Sequence, residues 1–247
     1  MPIPSILVRG KQVELVGDAV HGCIQPAESG LEFLPTNTRC KPREGNPTLI
    51  TIHNKGGEGD GKQTYNYLKS PKKRLSVEFS IDRDGTIWQY CDPAVLSCAH
   101  MGAGNTRSIG VEVANTVIPF DDARTPDNER RIFLRGGYSG VKAQLFYGRG
   151  NHVELYRDGI KRRVLDHLPA QKKAVRSLVR TLLSAFPTIP ARLPRTTIKG
   201  TVTGDRMPAD WTGVAGHLHF QPSGYEVATA HIDPALDVFD ELLLDLG

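Results

Sequence analysis

The sequence predicts an α/β protein built as a single domain with one insertion. Three observations predict it. β-branched apolar runs at Thr48–His53 and Ser108–Ala114 read as buried strands. Leu75–Ile81 and Thr86–Tyr90 read as two strands of a hairpin around an Asp82-Arg-Asp-Gly85 turn. Gln171–Phe186 reads as a long amphipathic helix, with Ala174, Leu178, Leu182 and Ala185 on one face, Val175 and Val179 beside them, and Lys and Arg largely opposite. The 247 residues suffice for one large domain or two small ones.

In chain order, residues 1–47 are rich in Pro, Gly and charge, with short apolar runs at Ile6–Val8 and Gln12–Val16. So long a lead-in is expected to wrap the domain as an arm. The domain proper is then 48–247. Its first strand ends at His53 and enters a glycine-dense loop, Asn54–Gly61, followed by a short helix at Gln63–Leu68 that Ser70-Pro71 stops. Residues of about 116–165 carry Asp, Arg and Gly clusters and too few apolar residues for a core of their own, so they read as the insertion. Within it, Arg157-Asp-Gly159 suggests a hairpin. Pro187 and Pro190 end the long helix, Thr188–Asp210 reads as a loop, Val214–Phe220 as a short strand bearing His217, and Leu236–Leu246 as a C-terminal helix.

Composition excludes some classes and leaves others. Hydrophobic residues at 39% and charged residues at 23% suit a globular chain. The formal net charge of +4 is mild, and most proteins with this balance bind no anionic polymer, so neither nucleic acid nor membrane is expected as a partner. No run approaches the ~18 consecutive apolar residues of a membrane span. The N-terminus shows no basic start followed by a long apolar run, so synthesis in the cytoplasm without a signal peptide is expected, with action elsewhere requiring lysis or a dedicated export route. The four cysteines, Cys23, Cys40, Cys91 and Cys98, form no Cys-x-x-Cys pair. Without a signal peptide they are expected as reduced, semi-buried thiols.

The chemistry-bearing residues are scattered. His53 ends a buried strand just before a glycine-rich loop, where an α/β sheet presents functional side chains, though a histidine satisfied by backbone would also sit there. Glu112 lies inside Ile-Gly-Val-Glu-Val-Ala, where a carboxylate is costly to bury unless a charge or metal offsets it; on a solvated face it needs no such partner. His217 and Asp233 flank a Pro/Ser/Gly loop. Together His53, His217 and Asp233 would make a His-His-carboxylate zinc site with one open position. A water bound there would be acidified toward neutral pH, Glu112 could take its proton, and His231 could donate to an oxyanion. His219, two residues after His217, is a rival ligand, because both would share one face of a strand. No His-Glu-x-x-His helix is present.

These residues resemble the zinc-dependent N-acetylmuramoyl-L-alanine amidases, a family that includes phage endolysin domains and peptidoglycan recognition proteins. Ile50-Thr-Ile-His53-Asn54 resembles the family's first strand. Leu75–Tyr90 resembles its S-x-H-x-x-I-x-x-D-G-x-I-x-Q hairpin. Ala99-His-Met-Gly102, Asn105 and Ser108-Ile-Gly-Val-Glu112 are similar to W-H-A-G…N…S-I-G-I-E. Gln171 opens the long helix where the family often has a glutamine. Gly216-His217 and Asp233-Pro234 resemble the closing G-H…K-x-D-P-G.

The resemblance implies a central mixed β-sheet flanked by α-helices, with zinc in a groove on one side. It implies hydrolysis of the amide joining the lactyl group of N-acetylmuramic acid to L-alanine, with peptidoglycan or muropeptides as the partner. It places zinc on His53, His217 and Asp233, catalysis on Glu112 with His231, and substrate contacts at Asn54, Glu78, His100 and Asn105. The chain departs from the pattern at Glu78, where the hairpin often has His, Tyr or Asn. Ala99 stands for Trp, His231 for Lys, and Ala235 for Gly. A non-catalytic peptidoglycan-binding module on the same fold, and a zinc hydrolase cutting another stem-peptide amide, are the competing readings. An intact wall or a soluble fragment, and an endolysin, recycling enzyme or exported toxin, all fit, and the oligomeric state is not legible.

Overall fold

The computed structural model describes residues 4–17, 23–24, 32–34, 39–55, 60–70, 72, 75–115, 120–121, 151–155, 161–195, 206–220, 234 and 236–246. The chain enters through a hairpin of β1 (Ser5–Val8) and β2 (Lys11–Glu14). Short strands β3 (Cys23–Ile24) and β4 (Cys40–Pro42) follow. The predicted first strand is β5, Leu49–Asn54, buried along its whole length. Helix α1 (Gly61–Leu68) starts at Asp60, whose side chain accepts from the Gln63 amide at 2.8 Å and satisfies one orphan donor of the first turn.

The hairpin forms as β6 (Phe79–Ile81) and β7 (Ile87–Gln89), shorter than the expected strands. β8 (Leu96–Cys98) and a 3₁₀ turn (Gly102–Arg107) then lead into β9 (Ser108–Val113). β10 (Phe120–Asp121), β11 (Asn151–Leu155) and β12 (Lys161–Leu165) make a separate three-stranded sheet in which β11 and β12 pair antiparallel; the expected turn at Arg157-Asp-Gly159 lies outside the described residues.

Six strands form the central sheet in the order β13-β5-β9-β6-β7-β3, where β13 is Gly213–Gly216. β13, β5, β9 and β6 run parallel; β7 is antiparallel to β6, and β3 parallel to β7. The sheet is therefore mixed, as expected. The N-terminal arm closes one edge of it through β3.

Helix α2 (Pro169–Ala185) covers one face. Its Ala174, Val175, Leu178, Val179 and Leu182 pack into one cluster with Ile50, Ile52, Ile109, Val111 and Val214 of the sheet. Gln171 is fully buried at its start, accepting from the Leu168 amide at 3.0 Å and donating to the Ala114 carbonyl at 2.5 Å, so it ties the helix to the end of β9.

Two expectations are corrected. The strand at Val214–Phe220 stops at Gly216, and His217–His219 is a 3₁₀ turn. The His219 ring closes that turn by accepting from the Gly216 amide at 2.9 Å, a donor that a continuing strand would have kept for its ladder. The C-terminal segment is a 3₁₀ turn at Leu236–Phe239 followed by a short helix α3 (Asp240–Leu243), not one continuous helix. The tightened turn is the one whose Asp237 carboxylate is anchored to His167.

Candidate active site

Strand order and register assemble the site. β5 and β9 pair with His53 directly opposite Glu112. On the other side of β5, Gly216 lies opposite Ile52, so His217, the next residue, comes level with His53. His53, Glu112 and His217 thus stand side by side at the C-terminal ends of three adjacent parallel strands, where open α/β sheets bind ligands. The His53 and His217 rings are 4.7 Å apart between centroids. Glu112 is half-buried and His53 buried.

The return of the chain also fits. Pro234 packs so tightly on Gly216 that a Cβ there would come within 2.5 Å of Pro234 Cδ. Only glycine admits that approach, and it brings the residue after Asp233 against the residue before His217. Asp233 and His231 themselves lie outside the described residues.

His100 joins the same face. Its Nδ1 lies 2.9 Å from His53 Nε2, and its Nε2 lies 3.0 Å from Ser108 Oγ. A Cβ at Gly110 would meet the His100 ring at 2.8 Å, so the glycine makes room for it. Asn105 holds this arrangement from below: its Oδ1 accepts from the backbone amides of His100 at 2.9 Å and Met101 at 2.7 Å. Its side-chain oxygen is thereby committed to shaping the loop.

Two expected substrate contacts are removed from the groove. Asn54 follows His53, and the period of two along a strand turns it to the opposite face. There it is buried, with Oδ1 3.1 Å from His167 Nε2. Glu78 is fully buried and paired with Arg43 at 2.9 Å. It also accepts from the Cys98 amide at 3.0 Å and the Gly110 amide at 2.8 Å. Burial pushes its carboxyl up to about 7, against the pull of Arg43 and the two amides. His219 is likewise withdrawn: it is fully buried, bonded to Gly216 and packed on Phe239, and it does not share a strand face with His217.

One functional candidate, Lys55, and one structural histidine, His167, are missing from the sequence reading. Lys55 lies two residues past His53, so the same alternation that turned Asn54 away brings it back. Burial lowers its ammonium, while Asp82, 3.6 Å away, and Glu112 pull it up. His167 is buried behind the sheet. Its Nδ1 donates to Asp237 Oδ1 at 2.7 Å, and its backbone amide donates to Oδ2 at 2.7 Å. Burial alone would raise the Asp237 carboxyl; His167 and Lys172 overcome that and hold it at about 2. The signal for Lys55 was the strand period. For His167 there was none, since its partner lies 70 residues away.

Among the described residues, the one group of three metal-capable side chains with mutually close donor atoms is Cys40, Cys91 and Cys98.

The chain belongs to the N-acetylmuramoyl-L-alanine amidase family, whose model (Amidase_2) matches residues 43–235. It is similar to several solved structures. The catalytic domain of XlyA is 20% identical with a TM-score of 0.46, over 92% of this chain and 99% of that one. A mutant endolysin from Bacillus subtilis is 19% identical with a TM-score of 0.46, over 92% of this chain and 100% of that one. AmpD, as a selenomethionine derivative, is 15% identical with a TM-score of 0.41, over 85% of this chain and 88% of that one. No curated protein matches the sequence at a significant level.

Proposed function

We propose that the chain hydrolyses the amide between the lactyl group of N-acetylmuramic acid and L-alanine, in peptidoglycan or its muropeptides, with zinc held by His53, His217 and Asp233. One observation carries the reading: His53, the half-buried Glu112 and His217 stand level at the C-terminal ends of three neighbouring parallel strands. The donor set suits zinc. Two imidazoles and a carboxylate leave the ion net positive and one position open.

When bound, the metal supplies an acidified water and polarises the scissile carbonyl. The chain's own residues do the rest. Glu112 accepts the proton of the attacking water and returns it to the leaving amine of L-alanine. Lys55, whose ammonium Glu112 helps to hold up against the effect of burial, sets a positive charge near that carboxylate. His231 is assigned as donor to the developing oxyanion. His100 orients the His53 ring, as an outer partner of a metal-binding histidine does, and Asn105 holds the loop that carries His100.

The test is product analysis. Purified, zinc-loaded protein is incubated with soluble muropeptides and with intact sacculi, and the products are weighed by mass spectrometry. Free lactyl-muramic acid and L-alanine ends support the proposal, and cleavage elsewhere in the stem peptide supports a different amide specificity. Both substrates left intact would refute it.

A further inference from the structure

Cys40, Cys91 and Cys98 meet in a second apolar core, beneath the hairpin, among Tyr65, Val77, Trp88 and Tyr90. All three are fully buried. Cys40 Sγ lies 2.7 Å from Cys98 Sγ, and Cys91 Sγ lies 3.5 Å from Cys98 Sγ. Cys40 and Cys98 face each other directly across the antiparallel β4–β8 ladder. No step assigned to the candidate active site uses any of them.

Two chemistries could explain such a cluster, and the geometry separates them. Two thiolates at ~2.3 Å from one metal ion stand about 3.8 Å apart. Joint ligation would require the Cys40 and Cys98 sulfurs, 2.7 Å apart, to separate by about 1.1 Å. A metal would also need several buried thiolates ionised beside the Glu78 carboxylate, which accepts from the Cys98 amide. A disulfide is neutral and suits an apolar core. Directly opposed residues of an antiparallel pair have Cα atoms about 4.5–5.5 Å apart, inside the range a disulfide spans. The sulfurs would need to close by only about 0.7 Å.

We propose that Cys40 and Cys98 form a disulfide that staples the N-terminal arm to β8, with Cys91 left as a thiol. The oxidant is a second disulfide, of the glutathione or thiol-oxidoreductase class. The Cys98 thiolate attacks it and forms a mixed disulfide, releasing one thiolate. The Cys40 thiolate then attacks the Cys98 sulfur and expels the other. Two cysteine thiols lose two protons and two electrons, and the oxidant becomes two thiols. The steps occur during folding, or on opening of the three-residue β4–β8 ladder.

The bridge would act on the floor of the candidate site. Arg43, three residues past Cys40, bonds Glu78 and the carbonyls of Leu96 and Ser108. β8 runs directly into Ala99-His100, whose imidazole touches His53. Stapling Cys40 to Cys98 removes freedom from the unfolded chain across a long loop, so the oxidised protein should melt on the order of 10 °C higher than the reduced one.

The experiment refolds the full chain in oxidised glutathione, alkylates remaining thiols under acid-quenched denaturing conditions, and maps the peptides by mass. The expected map shows Cys23 and Cys91 alkylated and the Cys40 and Cys98 peptides joined. Cys91→Ala should keep the bridge and Cys40→Ala should lose it. Dithiothreitol should lower the melting temperature by the stated shift. Four alkylated cysteines, a Cys91–Cys98 link in the unmutated chain, or cadmium protecting three thiols while no bridge forms would each overturn the proposal. Should the variants fail to fold, the map of the unmutated chain decides alone.

Discussion

The two faces of the central sheet are made by the same strands yet hold opposite kinds of chemistry. On one face Ile50 and Ile52 of β5, with Ile109, Val111 and Val113 of β9, pack under α2. On the other, Thr51 donates to the Met101 sulfur and His53 meets His100, with Glu112 alongside. Alternation alone decides which residue goes where. Each face also holds a histidine, and their settings differ. His53 lies among His100, His217 and the half-buried Glu112. His167 lies sealed between Asp237, Asn54 and Asn115. A buried histidine with a fixed carboxylate serves architecture. One beside a strand-end carboxylate and a second imidazole can serve chemistry.

The largest effects should come from the open face and touch activity alone. His53→Ala should abolish zinc binding and hydrolysis while leaving the circular dichroism spectrum intact. Glu112→Gln should keep the metal, bind substrate, and lose about 10²–10⁴ in turnover, read from muropeptide cleavage rates.

The α2 face should respond in stability instead. Leu178→Ala should cost roughly 2–5 kcal/mol in urea denaturation, with the turnover of the folded fraction unchanged. Asp237→Asn should cost about 2 kcal/mol near neutral pH, since the native carboxyl is held at about 2 against an ordinary 3.8. A depressed carboxyl stabilises above its unfolded value and loses that contribution as pH falls through its native one. The gap between Asp237→Asn and the unmutated chain should therefore close between pH ~4 and ~2 in acid-unfolding curves. Smallest of all, Arg176→Ala breaks exposed pairs with Asp245 and Glu241 and should cost under about 1 kcal/mol.

Much of the sheet was legible because its strands are apolar, β-branched and bounded by turns, and the helix because Ala174, Leu178 and Leu182 recur at its period. His53, Glu112 and His217 could be named from motif order and buried context. What escaped were contacts between distant residues and exact side-chain directions. Asn54 stood next to His53 in the motif, and the pleat sent it to the other face. Glu78 occupied a hairpin position associated with the groove, and Arg43, from the arm, drew it inside. His217 and His219 shared a face only for as long as the chain was a strand; the Gly216–His219 bond made it a turn. The His167–Asp237 pair joins residues 70 positions apart and left no local trace.

The central claim is that His53 and His217 hold a catalytic zinc ion together with Asp233. Elemental analysis of the purified protein and of His217→Ala, paired with muropeptide cleavage, tests it most directly. The account predicts one equivalent of zinc and release of L-alanine-ended peptide in the unmutated protein, with both lost in a folded His217→Ala. Cleavage that persists in a zinc-free, folded His217→Ala protein would contradict it.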